Sequence, residues 1–290
     1  MTAQHETHPL VACVLMHPRA AWRSQESVDA QWRELGFTDR PDYERACDEY
    51  DAFASLLEGC GARVEALPAG QDLTLDAIYV RDASVISDRG VVGCRMGKAA
   101  RGAEPAAQRG LFEALGIPVL GGIVGDGRLE GGDCVWLDRD TLAVGLGYRT
   151  NPEGVGQLGE LLGPDVDIVT VPLPHWRGPG DVFHLMSILS PLDDDLALVY
   201  SPLMPVPFRE TLLARGYELV EVPDEEVDMG ANALALAPRR CLLEMANERT
   251  RRRLEAAGVE VIVYDGGEIS RKGLGGPTCL TRPIERRPAP

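Results

Sequence analysis

The 290-residue sequence contains no apolar run long enough to cross a bilayer, and no apolar stretch follows a basic one at its N-terminus. A transmembrane helix needs roughly 20 consecutive, mainly apolar residues, and a secretory signal needs a basic region before a shorter apolar one. Residues 1–9 are polar and include two histidines. We therefore expect no membrane partner and a cytoplasmic location.

Cysteine pairs of the CxxC type are also missing, although the chain has seven cysteines. Scattered, unpaired cysteines favour neither a disulfide framework nor a zinc ribbon. Cys13, Cys94 and Cys241 lie in apolar runs, where a buried and inert thiol is expected. Cys279 does not lie in such a run, and it is considered separately below.

Basic residues are too few for a nucleic-acid surface, since the formal net charge is −16. An excess of acid is usually a solvated surface, although it can also draw a small cation toward a cleft. No low-complexity linker divides the chain. We therefore predict one catalytic domain over residues 9–285, with flexible tails at 1–8 and 286–290.

An internal repeat of about fifty residues is the strongest feature that is present. Five segments each begin with a polar residue, followed by an apolar run, a polar turn and a second apolar run, although the fifth is cut short. The spacings from Asp82 to Asp133 and from Asp133 to His184 are both 51 residues, and those to Asn232 and then Cys279 are 48 and 47. Each segment reads as a β-hairpin, followed by a helix and another strand.

The repeats predict a five-bladed α/β propeller built from ββαβ units with pseudo-fivefold symmetry. A unit of this size cannot bury its apolar faces alone, so neighbouring units must stack. Because the fifth hairpin lacks its second strand, we expect residues 10–16 to supply it and close the ring. The helices of the units are predicted over residues 42–60, 104–115, 152–162, 208–215 and 248–257.

Equivalent positions in units around an axis fall at the same end of the ring. The polar residues that begin the hairpins should therefore meet in one cleft. These residues are Asp82, Glu130, Asp133, His184, Asn232 and Cys279.

Cys279 follows three glycines and a proline, a backbone that can approach a ligand closely. Such a thiol is either a structural cysteine after a turn or a nucleophile, and the repeat, which brings His184 and carboxylates opposite it, favours the nucleophile. A lone histidine on a strand is more often structural, and His184 gains weight from its repeat position alone.

The acids of the predicted cleft are open to two interpretations. Glu130 and Asp133 flank two glycines, and such a pair can bind a cation or a metal or can form a surface turn. The apolar residues on both sides argue against an exposed turn. Asp82 follows Arg81, where a salt bridge is the plain alternative.

The chain resembles the guanidino-group modifying superfamily, which includes arginine deiminases, dimethylarginine dimethylaminohydrolases and amidinotransferases. The motifs that carry the resemblance extend over roughly residues 10–283. They are Arg81-Asp82, Leu129-Glu-Gly-Gly-Asp133, Tyr148-Arg-Thr-Asn151, Phe183-His-Leu185 and Gly275-Gly-Pro-Thr-Cys279. The resemblance implies the same five-bladed propeller.

The resemblance also implies roles for individual residues. Cys279 matches the nucleophile, His184 the general acid and base, and Glu130 the carboxylate that grips the guanidinium. Asp82 matches a second guanidinium-binding carboxylate, and Arg149 an arginine that binds the α-carboxylate of the substrate, as an arginine fork can do. Asp133, and either Arg95 or Arg101, are expected to add substrate contacts.

One departure bears on the substrate. Arginine deiminases have His-x-Asp at the histidine, whereas this chain has Met186 in place of the aspartate and is closer to dimethylarginine dimethylaminohydrolases. A missing anion favours a guanidine with an alkylated nitrogen, because that nitrogen has fewer N–H groups.

The resulting hypothesis is a cysteine-dependent hydrolase of a small guanidine. It would convert dimethylarginine or a related arginine derivative to citrulline and an amine through a covalent thiouronium on Cys279. No metal or cofactor is expected, and a homodimer is possible. The alternatives are an amidinotransferase, a deiminase of arginine or another guanidine, a non-catalytic binding propeller and a metallohydrolase.

Overall fold

The computed structural model describes residues 3–70, 72–181 and 183–287. The strands in these ranges are β1 (Leu10–Leu15), β2 (Arg63–Ala66), β3 (Ser84–Ser87), β4 (Gly90–Gly93), β5 (Val119–Gly122), β6 (Cys134–Trp136), β7 (Thr141–Leu146), β8 (Asp167–Pro172), β9 (Leu189–Asp193), β10 (Leu196–Val199), β11 (Glu218–Glu221), β12 (Leu234–Ala237), β13 (Arg240–Glu244), β14 (Glu260–Tyr264) and β15 (Arg282–Arg286).

The strands form five three-stranded sheets, one for each repeat. Their orders are β15-β1-β2, β3-β4-β5, β6-β7-β8, β11-β10-β9 and β12-β13-β14. In each sheet the middle strand pairs antiparallel with its hairpin partner and parallel with the strand that follows the helix. The predicted fold class, a five-bladed α/β propeller with a pseudo-fivefold repeat, is confirmed.

The two ends of the chain complete one sheet together. β1 pairs antiparallel with β15 and parallel with β2. The strand register joins Leu10 to Arg286 and Val14 to Arg282. The predicted closure of the last blade by the N-terminal strand is therefore confirmed.

The α-helices are α1 (Pro18–Ala21), α2 (Gln25–Gln31), α3 (Tyr43–Gly59), α4 (Glu104–Ala114), α5 (Pro152–Leu162), α6 (Val206–Ala214) and α7 (Glu248–Ala256). The five predicted helices correspond to α3–α7 and agree within two residues at each end. In α3 the Asp42 side chain caps the N-terminus by accepting from the Arg45 amide. The helix buries its apolar face, which includes Tyr50 and Phe53. Among the described residues, no helix is both long enough and apolar enough to span a membrane.

Short turns of 3₁₀-helix precede two of the hairpins and set the direction of the site residues. Gly131–Asp133 leads into β6, and Leu185–Ser187 leads into β9. Glu130 and His184 stand immediately before these turns in extended conformation. The turns thus place both side chains at the start of their sheets.

The predicted N-terminal tail contains residues that pack on the fold. Ala3, Glu6 and Thr7 are buried, and at the other end Arg286 is buried in β15. Residues 1, 2 and 288–290 of the predicted tails lie outside the described residues. The domain bounds 9–285 stay a prediction, and the part of the chain just before residue 9 is packed.

Candidate active site

The polar residues that begin the five hairpins are linked by direct contacts. Asn232 contacts Cys279 at 3.1 Å between Nδ2 and Sγ, and His184 contacts Glu130 at 2.7 Å between Nε2 and Oε2. The Nδ1 atom of His184 lies 3.9 Å from Oδ1 of Asp82. The ring thus gathers at one end side chains that are far apart in sequence.

Cys279 is partly buried and is held from two sides. Its carbonyl accepts from the Arg81 amide at 3.1 Å, and its sulfur accepts from the Asn232 amide nitrogen. The Asn232 oxygen in turn accepts from the Thr278 amide at 3.1 Å. Burial raises the pKa of the Cys279 thiol to about 11, and the Asp82 charge adds to this effect.

His184 is buried among three carboxyl groups. Burial by itself lowers the pKa of an imidazole, but the charges of Asp82 and Asp133 and the hydrogen bond to Glu130 outweigh it and raise the pKa of His184 to about 9. The imidazole is therefore protonated at neutral pH, and its Nε2–H donates to Glu130. Such a group is ready to give a proton to a departing amine.

Glu130 is fully buried and accepts hydrogen bonds at both oxygens. Its Oε1 accepts from the amides of Gly97 at 2.8 Å and Lys98 at 3.1 Å, and its Oε2 accepts from Arg149 at 3.0 Å as well as from His184. Burial raises its pKa, but the hydrogen bond and charge of His184 prevail and hold the pKa of Glu130 well below its usual range. These contacts orient the His184 imidazole, and the grip of Glu130 on a guanidinium stays a prediction.

Asp82 has one oxygen engaged and one without a hydrogen-bond partner. Its Oδ2 accepts from Arg101 at 2.5 Å, and Arg101 is itself held by two hydrogen bonds to Glu104. Among the described residues, no donor reaches the buried Oδ1 atom. A buried acceptor that lacks a partner is costly, so this oxygen is well suited to accept an N–H group from a ligand.

Asp133 connects the two 3₁₀ turns. Its Oδ1 accepts from the Leu185 amide at 3.0 Å, and its Oδ2 accepts from the Thr150 hydroxyl at 2.6 Å. Burial raises the pKa of the Asp133 carboxyl to about 6. These contacts fix the His184 turn, and the predicted substrate contact of Asp133 stays a prediction.

Two adjoining cavities meet at Cys279. The first, of about 30 Å³, is lined by Cys279 together with His184, Met186 and Asn232. The second, of about 70 Å³, is lined by Cys279 together with Asp82, Lys98, Arg101 and Arg149. The sulfur, the imidazole and an unpartnered carboxylate oxygen therefore surround one connected space.

The predicted arginines fall in different places. Arg149 lines the second cavity and donates to Glu130. Arg95 is exposed and donates to the Gly127 carbonyl at 3.2 Å, and it lines neither cavity. The substrate contact of Arg95 stays a prediction, and the alternative residue, Arg101, lines the second cavity.

Asp82, Glu130 and His184 also offer one donor atom each within 4.8 Å of one another, a spacing that suits a metal ion. The oxygens of Glu130, however, already accept from the Gly97 and Lys98 amides and from Arg149, and a metal would have to compete with these donors. The donor set therefore fits a cation with N–H groups better than a metal.

Asn232 was not among the residues given a role from the sequence, and its contact with the Cys279 sulfur makes it part of the site. Its signal was the repeat spacing, which placed it at the same end as the others. Arg101, which holds Asp82, had no such signal, because it lies in a 3₁₀ turn between two elements.

Comparison with known proteins identifies the relatives of this chain. The family described as "N,N dimethylarginine dimethylhydrolase, eukaryotic" matches residues 23–286. An N(G),N(G)-dimethylarginine dimethylaminohydrolase of Streptomyces coelicolor is 30% identical over 84% of this chain and 87% of the relative. An arginine deiminase of Mycobacterium marinum is 30% identical over 56% of this chain, and the match spans only 48% of that longer protein.

A solved structure has the same fold. The dimethylarginine dimethylaminohydrolase of Pseudomonas aeruginosa, a Cys-to-Ser mutant complexed with citrulline, superposes with a TM-score of 0.77 at 23% identity. The alignment covers 94% of this chain and 99% of the other. At this level of identity the likeness establishes the fold.

Proposed function

Since the chain belongs to the N,N dimethylarginine dimethylhydrolase family, we propose that it hydrolyses a C–N bond of an arginine-derived guanidine with Cys279 as nucleophile. The proposed substrate is dimethylarginine or a related alkylated arginine, and the products are citrulline and an amine. Its relatives named for this activity, such as the Streptomyces coelicolor protein, support the choice of substrate.

The observation that carries the proposal is the unpartnered Oδ1 atom of Asp82 in the cavity that also contains Cys279. A guanidinium is a planar cation with several N–H donors, and a carboxylate binds such a group strongly. Bound against Asp82, the carbon of the guanidinium would lie beside the thiol. Arg149 lines the same cavity, which supports the proposal that it binds the α-carboxylate of the substrate.

Substrate binding would activate the thiol. In the free site the pKa of about 11 keeps Cys279 protonated at neutral pH. A cation next to the sulfur favours the thiolate, and the Asn232 N–H group stabilises it further. Because His184 is already protonated, the proton of the thiol passes to bulk water as the guanidinium enters, so that only a bound substrate meets a reactive sulfur.

The chemical steps follow from the protonation state of His184. The thiolate attacks the guanidinium carbon and gives a tetrahedral adduct, in which the amine nitrogen becomes basic. The His184 imidazolium donates its proton to that nitrogen, the C–N bond breaks, and a thiouronium remains on Cys279. The neutral imidazole then takes a proton from water, hydroxide adds to the thiouronium carbon, and release of the thiolate gives the ureido product.

Met186 supports an alkylated substrate. It is buried and lines the cavity of His184 and Cys279, at a position where an acid would add a second anion. An apolar thioether offers no acceptor to an N–H group and packs well against a methyl group. The side of the guanidine that faces Met186 is therefore the side proposed to carry the alkyl group.

A panel of guanidines tests the proposal directly. Dimethylarginine, monomethylarginine, arginine and agmatine would be incubated with the wild-type protein and with Cys279→Ser, and ureido product and free amine would be measured. We expect turnover of a methylated arginine and a loss of about 10⁴-fold or more in Cys279→Ser, with an unchanged circular dichroism spectrum. Unchanged turnover in Cys279→Ser would reject the mechanism.

Three further arms separate the alternatives. Transfer of the amidino group to an added amine such as glycine would indicate an amidinotransferase. A loss of activity on dialysis against a chelator, restored by a metal, would indicate a metallohydrolase. Absence of turnover for every guanidine, together with saturable binding of one of them, would indicate a binding propeller.

A further inference from the structure

The segment before β1, residues 3–8, lies across the end of the propeller that is remote from the cavities. It contacts the turns of three hairpins, at Asp88, Arg139 and Asp194. The Gln4 side chain donates to the Arg139 carbonyl at 2.5 Å and accepts from the Asp88 amide at 2.8 Å. The Thr7 hydroxyl donates to Asp194 at 3.2 Å. Because the site residues precede the first strands of the hairpins, the hairpin turns stand at the opposite end.

Glu6 of this segment enters a cluster of buried arginines, Arg81, Arg282 and Arg286. Arg81 donates to Oε1 of Glu6 at 2.6 Å, and the other two arginines belong to β15. Burial raises the pKa of Glu6, but the guanidinium charges, that of Arg81 foremost, outweigh it and lower the pKa. Buried charges are stable only when opposite charges compensate them. Glu6 supplies negative charge to this arginine cluster.

Arg81 connects this cluster to the reactive end. Its amide donates to the Cys279 carbonyl at 3.1 Å, Arg81 is among the residues that line the cavity of Cys279 and His184, and its neighbour in sequence is Asp82. The Arg81 guanidinium donates a hydrogen bond to Glu6 from one terminal nitrogen. Among the described residues, its Nε and its other terminal nitrogen have no hydrogen-bond partner. The carbonyl of Arg81 is held by Arg282 at 3.2 Å.

We infer that Glu6 is a positioning residue: through the Glu6–Arg81 ion pair, the N-terminal segment fixes the backbone that carries Cys279 and Asp82. The role is one of placement, because Glu6 lines neither of the two cavities that contain Cys279. The inference rests on the proposed function for its activity measurement only, since the reactivity of the thiol can be measured separately.

The test compares Glu6→Ala, Glu6→Gln and Glu6→Asp with the control Gln4→Ala in full-length protein. Gln4 belongs to the same segment, and its side chain forms hydrogen bonds with two hairpin turns. We expect kcat to fall about 10–100-fold in Glu6→Ala and Glu6→Gln with KM changed less than about threefold, since a small misplacement of reacting groups has effects of this size. Glu6→Asp should recover part of the loss, and Gln4→Ala should stay within about twofold of wild type.

Two measurements distinguish placement from a general loss of structure. The first is alkylation of Cys279 by iodoacetamide, followed on its peptide by mass spectrometry, which should change in rate in Glu6→Ala and not in Gln4→Ala. The second is rescue of Glu6→Ala by sodium formate, whose carboxylate fits the space left beside Arg81. Sodium chloride at the same ionic strength is the matched control, and we expect formate alone to restore activity severalfold.

The inference is overturned if Glu6→Ala and Glu6→Gln keep wild-type kcat and alkylation rate. It is also overturned if activity falls only in proportion to the folded fraction and formate restores none of it. Should Glu6→Ala fail to fold, the nearly isosteric Glu6→Gln provides the same comparison. A wild-type protein that turns over no guanidine would reject the proposed function, and the alkylation rates would still decide the role of Glu6.

Discussion

At the scale of single residues, two raised pKa values define the site. The Cys279 thiol has a raised pKa and is neutral at pH 7, while the raised pKa of His184 keeps the imidazole charged. The thiolate is therefore disfavoured, and an imidazole that is already protonated cannot take the proton of the thiol. Under the proposed function, this arrangement would keep the sulfur slow to react until a cationic substrate is bound.

The pH profile follows from the pKa of about 9 for His184. The His184 imidazole is protonated below that value and loses its proton as the pH rises through it. We therefore predict that kcat for a methylated arginine falls as the pH rises past about 9. In Glu130→Gln a negative partner is removed, and the alkaline limb should move to lower pH. Rate measurements from pH 6 to 10.5 check both, and a limb unmoved by Glu130→Gln would contradict the assignment.

Asn232 gives a second residue-scale prediction, because its Nδ2–H group donates to the sulfur. A hydrogen bond to a charged group contributes about 1.5–3 kcal/mol, so Asn232→Ala should lower kcat/KM roughly 10–100-fold. Alkylation of Cys279 at pH 8 should slow as well. Asn232→Asp keeps the acceptor for the Thr278 amide but replaces the N–H donor by a negative charge, so it should slow alkylation further. Equal alkylation rates in wild type, Asn232→Ala and Asn232→Asp would refute the proposed hydrogen bond to the sulfur.

At the scale of elements, the turn Gly131–Asp133 allows the site residues to approach each other. A Cβ atom added at Gly132 would lie 2.6 Å from both Asp82 Oδ1 and His184 Nδ1. We predict that Gly132→Ala displaces these groups and lowers kcat/KM by about 100-fold or more. A retained fold, checked by circular dichroism, would show that the loss is local.

The matched control is a glycine in an open helical position. Gly110 in α4 has no atom within 4 Å of an added Cβ. Gly110→Ala should therefore leave activity unchanged and raise the free energy of unfolding by about 0.5–1 kcal/mol, since alanine loses less backbone entropy in a helix. Urea unfolding measures this directly, and a destabilised Gly110→Ala would show that the helix face is packed against something.

The elements themselves show what the sequence could predict. The spacing of about fifty residues predicted the five sheets and placed Cys279 and His184 at one end, because a repeat fixes where each strand begins. It could not predict that Glu130 would accept hydrogen bonds from His184, Arg149 and two backbone amides, because these contacts depend on the direction of each side chain. The sequence also left Arg95 and Arg101 as alternatives, and of the two only Arg101 lines a cavity that Cys279 also lines.

The N-terminal segment was missed for another physical reason. Residues 3–8 form no helix or strand, so no periodic pattern marks them, and their polar composition resembles a solvated tail. The burial of Glu6 depends on arginines more than seventy residues away in sequence. Only the closed ring brings these charges together.

At the scale of the whole molecule, we expect the net charge of −16 to raise the rate at which a cationic substrate reaches the site. A negative surface attracts a guanidinium, and added salt screens the attraction over about 10 Å at 0.1 M. We predict that kcat/KM for methylated arginine falls about two- to tenfold between 20 and 500 mM NaCl while kcat stays constant. Alkylation by neutral iodoacetamide should be insensitive to salt. An equal effect of salt on kcat/KM and on the alkylation rate would indicate a change in the site itself.

The homodimer stays a prediction, which analytical ultracentrifugation can test.

The pairing of β1 with β15 has a consequence for biosynthesis. β1 lacks its antiparallel neighbour until β15 has been synthesised, and Cys279 lies three residues before β15. A nascent chain that ends before this region would therefore have one incomplete sheet and no thiol centre. Under the proposed function, such a chain would not yet be able to turn over substrate.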